Sequence, residues 1–168
     1  MAGAAASLFI AVGIYLAVSS GGGEAQAAIV ELSQLHQAIV SGQTPLTPVE
    51  SIEQANDWIA EQTANGPQLP DGFGNVRVQS CCLAEVQGDL VAVAVMRVDG
   101  RLITLVVADA PGFAHEMGTV IEIDGRRFFG HELNSTRMMM ASIGNRWICV
   151  MGDAEYESLA WIASGAKF

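Results

Sequence analysis

The alternation of apolar and polar positions changes period twice along this chain, and each change marks a different kind of element. Residues 1–23 show no alternation: they carry no charged side chain, and positions 4–18 read AAASLFIAVGIYLAV. After Gly21-Gly22-Gly23 the period becomes helical, with Ala28, Leu32, Leu35 and Ile39 spaced by four and three within residues 24–41, which predicts a helix with one apolar stripe. Thr47-Pro48-Val49-Glu50 then reads as a capping box: a threonine N-cap, a proline at the first helical position and a glutamate three residues after the cap. The helix it opens is expected to run to about residue 63 and to bury Ile52, Ala55, Trp58 and Ile59. A loop rich in helix breakers, 65–75, closes this helical part.

From residue 76 onward the period is two, punctuated by turn pairs. Gly88-Asp89, Asp99-Gly100, Asp124-Gly125 and Gly144-Asn145 each separate two apolar runs, which predicts four antiparallel hairpins. Residues 90–98 are apolar on both parities, as in a central strand covered on two sides. The expected sheet has about seven strands, with a looser loop at 111–118. A last helix is expected after Asp153 as N-cap, with Glu155 and Glu157 in its first turn and Lys167 beyond its end. It should lay Tyr156, Leu159 and Ile162 on the sheet, against the strand face shared by Trp147, Cys149 and Met151. The predicted fold class is therefore α+β: an N-terminal transmembrane helix (1–23), a two-helix stalk (24–65), and an antiparallel sheet with a C-terminal helix packed on it (76–168).

The anchor follows from length. The eighteen uncharged residues 2–19 make a helix of about 27 Å, close to a hydrocarbon core of about 30 Å. A cleaved secretory signal competes with this reading, using 8–18 as its apolar region and Ala25-Gln26-Ala27 as its cleavage site; a helix buried in a soluble core is the third reading. No Lys or Arg precedes the apolar run, and the first basic residue is Arg77, so only the terminal amine can act in a positive-inside sense.

Charge narrows the partners. With 18 acidic and 8 basic residues the formal charge is −10, which leaves no electrostatic footprint for nucleic acid or anionic lipid headgroups. About 145 residues follow the apolar segment, enough for one domain with its own core.

Three cysteines, Cys81, Cys82 and Cys149, do not make a disulfide framework. Strand parity over 76–87 turns Cys82 inward and Cys81 outward. Cys149 lies in an apolar run, so an oxidising compartment would permit a Cys82–Cys149 bridge; the alternative is that both are small core hydrophobes. Metal binding is disfavoured. His115-Glu116 and His131-Glu132 share the C-terminal part of the chain with Cys149, but no CxxC, HxxxH or HExxH spacing is present. A thiol enzyme would use Cys81 with His131 and Glu132, yet adjacent strand residues point to opposite faces, so Glu132 is badly placed to orient His131. Met138-Met139-Met140 is split by strand geometry and reads as core filling. Arg126-Arg127 reads as a charged hairpin end. No catalytic, cofactor-binding or metal residue is assigned.

The run Arg137-Met138-Met139-Met140-Ala141-Ser142-Ile143-Gly144-Asn145-Arg146-Trp147-Ile148-Cys149-Val150-Met151-Gly152-Asp153, with the helix after it, resembles the end of the extracytoplasmic domain of bacterial transmembrane anti-sigma factors. The order of parts is similar too: a membrane helix, a helical stalk, then a sheet domain. The resemblance covers about half the chain and implies a single-pass, non-enzymatic sensor in the cell membrane, with its C-terminal domain outside the cytoplasm. It also implies a cytoplasmic zinc-binding HxxxCxxC segment that grips a sigma factor. Only Met1 precedes Ala2, so sigma binding falls on no residue of this chain. The expected partners are the membrane through residues 1–23 and an envelope protein or regulatory protease. An exported module that binds a protein or lipid ligand is the alternative, and a thiol-dependent enzyme the third choice.

Overall fold

The computed structural model describes residues 23–73, 76–109 and 118–168. The expected anchor and the loop at 111–118 fall almost wholly outside them, as do His115 and Glu116. No described helix is long and apolar enough to cross a membrane.

The elements are α1 (Gly23–Val40), β1 (Thr47–Pro48), α2 (Ile52–Gln62), β2 (Gly72–Phe73), β3 (Val78–Val86), β4 (Asp89–Val98), β5 (Arg101–Ala108), β6 (Thr119–Ile123), β7 (Arg126–Leu133), β8 (Thr136–Ile143), β9 (Arg146–Gly152), α3 (Tyr156–Ser164) and β10 (Ala166–Lys167). The class is α+β. Eight strands form one antiparallel sheet in the order β1-β3-β4-β5-β9-β8-β7-β6, and β10 pairs with β2 in a separate ribbon. Two meanders, β3-β4-β5 and β6-β7-β8-β9, thus meet at the β5–β9 pair, which buries the middle of the sheet.

The hairpin chemistry behaves as the turn residues dictate. Asp99-Gly100 and Asp124-Gly125 both have positive φ at each central residue, the type I′ geometry that matches strand twist. The first turn sits one residue earlier than expected, at Gln87-Gly88, with φ of 53° and 82°. At Gly144-Asn145 only the glycine is left-handed. A fifth turn, Asn134-Ser135, has no glycine and carries no strong sequence signal, yet both residues are left-handed at 51° and 65°.

Both faces of the sheet are covered. Even-numbered residues of β4 and odd-numbered residues of β5 (Ala92, Ala94, Met96, Ile103, Leu105, Val107) join Phe128, Met139, Ile148 and Val150 under α2 and α3. The opposite parity (Val91, Val93, Val95, Val106) joins Met138, Met140, Trp147, Cys149 and Met151 under α1. The methionine run is split as strand parity requires, and all three are buried. Trp147, however, does not support the last helix: α3 lies on the other face, with Leu159 and Ile162 in the core that contains Ile148 and Val150. Gly130 lets it dock, since a Cβ there would stand only 3.0 Å from Tyr156 Cε1.

The two N-terminal helices are not a stalk. Glu31 accepts from the Gln87 amide at 2.7 Å, while Ser33, half a turn along α1, donates to the Leu133 carbonyl at 3.3 Å. Gln87 follows β3 and Leu133 ends β7, strands five places apart in the sheet, so the sheet curls around α1. On the other face Ala55 and Ile59 of α2 are buried in the core, and Trp58 packs against its edge. The Thr47 capping box is not used: Thr47 and Pro48 pair with Cys81 and Ser80 as an edge strand, where the proline's missing N–H costs least. The helix starts four residues later. Ser51 Oγ accepts the Gln54 amide at 3.1 Å while Gln54 Oε1 accepts the Glu50 amide at 2.8 Å. Nor does Asp153 cap α3, whose N-cap position is Glu155 with no side-chain cap bond. Glu155 instead meets Arg137 at 3.1 Å, and the same guanidinium reaches Glu132 at 3.3 Å.

Candidate functional site

The two covered faces differ in polarity. Among the described residues the buried polar side chains are Ser33, His36, Thr104 and Thr136, and parity puts all four on the α1 face. On α1 the residues Ser33, His36, Gln37 and Val40 follow a spacing of three, four and seven, which gives a single stripe directed at the far ends of β5 and β7. His36 Nδ1 lies 2.9 Å from Thr104 Oγ1. Gln37 Nε2 donates to the Asn134 carbonyl at 3.4 Å.

The His36–Thr104 bond holds the ring in place. Thr104 is fully buried, and its hydroxyl has one recorded partner, His36 Nδ1. A hydroxyl can donate or accept, so the neutral ring bonds Thr104 through Nδ1 in either tautomer and keeps Nε2 for a second partner. Burial holds the His36 pKa below its ordinary value, so the neutral ring prevails at neutral pH.

His36 lines a cleft of about 490 Å³. Its walls are His36 and Val40 from the last turn of α1, Arg101 and Leu102 from the start of β5, Thr136 from the start of β8, and Asp153 just after β9. The sheet register brings the strand residues together. Ile103 and Arg137 both pair with Gly152, so Leu102, Asp153 and Thr136, each one position further out, share the next row and the α1 face. Arg101 Nη1 donates to the Asp153 carbonyl at 2.8 Å, which fixes the guanidinium beside the opening. Ser135, in the glycine-free left-handed turn, stands at the rim; a non-glycine residue held at φ 65° is backbone strain of the kind that gathers at functional sites. Val40 is 58% exposed there. The cleft's size lies within the range of small-molecule sites.

The residues singled out from the sequence lie elsewhere. Cys81 is not outward: it is fully buried on the α2/α3 face, while Cys82 is buried on the α1 face. The parity was right, but helices cover both sides of the sheet. Cys82 and Cys149 do not bridge. They share a row through Val93 and Val106, which sets them three strand spacings apart, about 14 Å, and a disulfide needs Cα atoms within about 7 Å. All three thiols are free and buried. Burial raises each pKa; Cys82 is pushed up to about 11, first by burial and then by its neighbour Cys81. Such thiols are protonated and poorly nucleophilic. Cys81 of β3 faces α2 and α3, while His131 of β7, paired with Met138, faces the α1 side, so the fold does not assemble that pair. Among the described residues no three His, Cys, Asp or Glu side chains gather as a metal site. Arg126 lines a second groove of about 520 Å³ with Arg146 and Lys167, while Arg127 stands over the Phe129 ring at 5.1 Å.

His36, Thr104, Thr136 and Arg101 were not singled out by sequence patterns, although two signals were available. His36 falls on the apolar stripe itself, four after Leu32 and three before Ile39, and Thr104 is the polar position in a run of buried residues. The comparisons with known proteins assign no relative: the chain matches no protein-family model, no curated protein and no solved structure.

Proposed function

We propose that this chain is a non-enzymatic sensor domain tethered to the membrane by residues 1–23 and exposed on the extracytoplasmic side, of the kind found outside the membrane in anti-sigma factors. The observation that carries this reading is the course of α1. It begins at Gly23, directly after the uncharged segment, and its last turn forms one wall of the cleft. One helix therefore joins the part of the chain suited to lipid with the part suited to a ligand. A change in how the cleft holds α1 is carried along the helix to Gly23, the residue next to the proposed anchor. In this reading the partners are the membrane, an envelope protein or regulatory protease, and a sigma factor reached only through a cytoplasmic segment preceding the anchor. An exported binding module would share the cleft and lose the anchor by cleavage.

Reporters fused after Phe168 test the topology. An export-dependent reporter should be active and a cytoplasm-only reporter silent, with the full-length chain in the membrane fraction. Activity of the cytoplasm-only reporter overturns the orientation, and a soluble product beginning near Ala28 overturns the tether in favour of the exported module.

A further inference from the structure

We propose that the cleft between α1, β5 and β8 binds a small monocarboxylate with an apolar body, a proposal that rests on reading this cleft as the ligand site of the sensor. Two polar side chains more than nine-tenths buried line it, His36 at 6% exposure and Thr136 at 5%. His36 spends Nδ1 on Thr104 and keeps Nε2, for which no protein partner is recorded among the described residues. Thr136 likewise has no recorded side-chain bond, so its hydroxyl is available to the cleft. Both side chains sit at the opening, where a ligand oxygen can take the place of water against them.

Charge sets the sign of the ligand. The charged groups on the cleft are Arg101 and Asp153. Arg101 is anchored through one guanidinium nitrogen to the Asp153 backbone carbonyl, which leaves the rest of its fork to pair with a carboxylate. The His36 ring and the Thr136 hydroxyl line the same cleft as one guanidinium, and the guanidinium's free N–H groups call for an anionic acceptor. Asp153 at the same opening opposes an anion, which makes its removal diagnostic. Val40 and Leu102 supply the apolar wall for the body of the ligand. The Asp153 carboxylate disfavours a dianion, and the apolar wall disfavours a fully polar acid.

Hexanoate, hexanol and hexylamine share one body and differ in the head group, so calorimetric titration of the full chain in phospholipid nanodiscs, with empty nanodiscs subtracted, reads the recognition directly. Hexanoate should bind saturably at one site, hexanol at least about tenfold more weakly, and hexylamine not at all. Arg101→Gln and Thr136→Val should each weaken hexanoate, the former about tenfold, whereas Asp153→Asn should strengthen it about two- to fivefold. Preference for hexylamine, weakening by Asp153→Asn, or hexanoate binding indifferent to Arg101→Gln overturns the proposal. Arg101 and Asp153 are exposed, so their variants remain informative even where Thr136→Val fails to fold. Topology is read by the reporters and ligand class by the titration, so failure of one is distinguishable from failure of the other.

Discussion

The two faces of the sheet are built from the same strands and solve different problems. The α2/α3 face is continuous hydrocarbon: Leu105, Met139, Ile148 and Val150 meet Ile59, Leu159 and Ile162, and no buried polar residue among those described sits with them. The α1 face has an equally buried centre, but Ser33, His36, Thr104 and Thr136 interrupt it toward the end where the cleft opens. Apolar packing is nondirectional and orients no polar ligand group. A face seamed with hydrogen bonds costs some stability and fixes donors in place. In the proposed reading the difference separates the work of holding the domain together from the work of recognition.

Variants on the two faces should therefore part company. Leu159→Ala removes a fully buried side chain from the apolar face and should cost about 2–5 kcal/mol, a fall of roughly 10 °C in melting temperature, while hexanoate affinity stays unchanged. Glu157→Ala, exposed on the same helix, should barely move the melting point. If Leu159→Ala and Glu157→Ala behave alike, α3 is not docked through that face.

Next in size is Thr104→Val, which keeps the shape and leaves His36 Nδ1 buried without a partner, at a cost of about 1–3 kcal/mol. Adding His36→Phe to it should recover much of that loss, and a chemical-denaturation double-mutant cycle measures the coupling. Additive costs would mean the bond does not organise the α1 face.

The same histidine gives the α1 face a pH dependence that the apolar face lacks. Its folded pKa is depressed by burial, so the neutral ring's contribution is fully present above the ordinary value of 6.5. It is lost as the pH falls below 6.5 toward the folded value, because the unfolded chain binds the proton first. Stability measured from pH 8 down to pH 5 should fall more steeply for the wild type than for His36→Phe. Carboxylates common to both cancel in the difference. Parallel curves would show that His36 does not titrate differently on folding.

The smallest effect belongs to the rim. Ser135→Gly relieves a left-handed serine and should stabilise by at most about 1 kcal/mol, read as a small rise in melting temperature. A fall would mean that the serine side chain holds the turn.

Much of this architecture could be read along the chain. Period and turn residues are local, and local sterics enforce them: the left-handed pairs Asp99-Gly100 and Asp124-Gly125 fold where any chain carrying them would turn. The split of Met138, Met139 and Met140, the opposite facing of Cys81 and Cys82, and the stripe of α1 follow from periods of two and 3.6 alone. Errors began where a local signal met a tertiary competitor. Thr47-Pro48 has good capping chemistry, but the unpaired edge of β3 recruited it as a strand, and Ser51 capped the helix instead.

Which residues share a face was legible along the chain alone, because backbone geometry makes that a property of a few neighbouring positions. Which helix covers each face, and therefore whether an outward position meets water or a core, was decided only in three dimensions. Cys81 is buried, and Trp147 lies opposite α3, for that reason. The cleft is wholly of this second kind. His36, Arg101, Thr136 and Asp153 come from four separate stretches of chain and meet only because β9 returns to pair with β5 and the sheet curls around α1. No short-range pattern encodes that closure, since contacts across such distances form only when the whole core does.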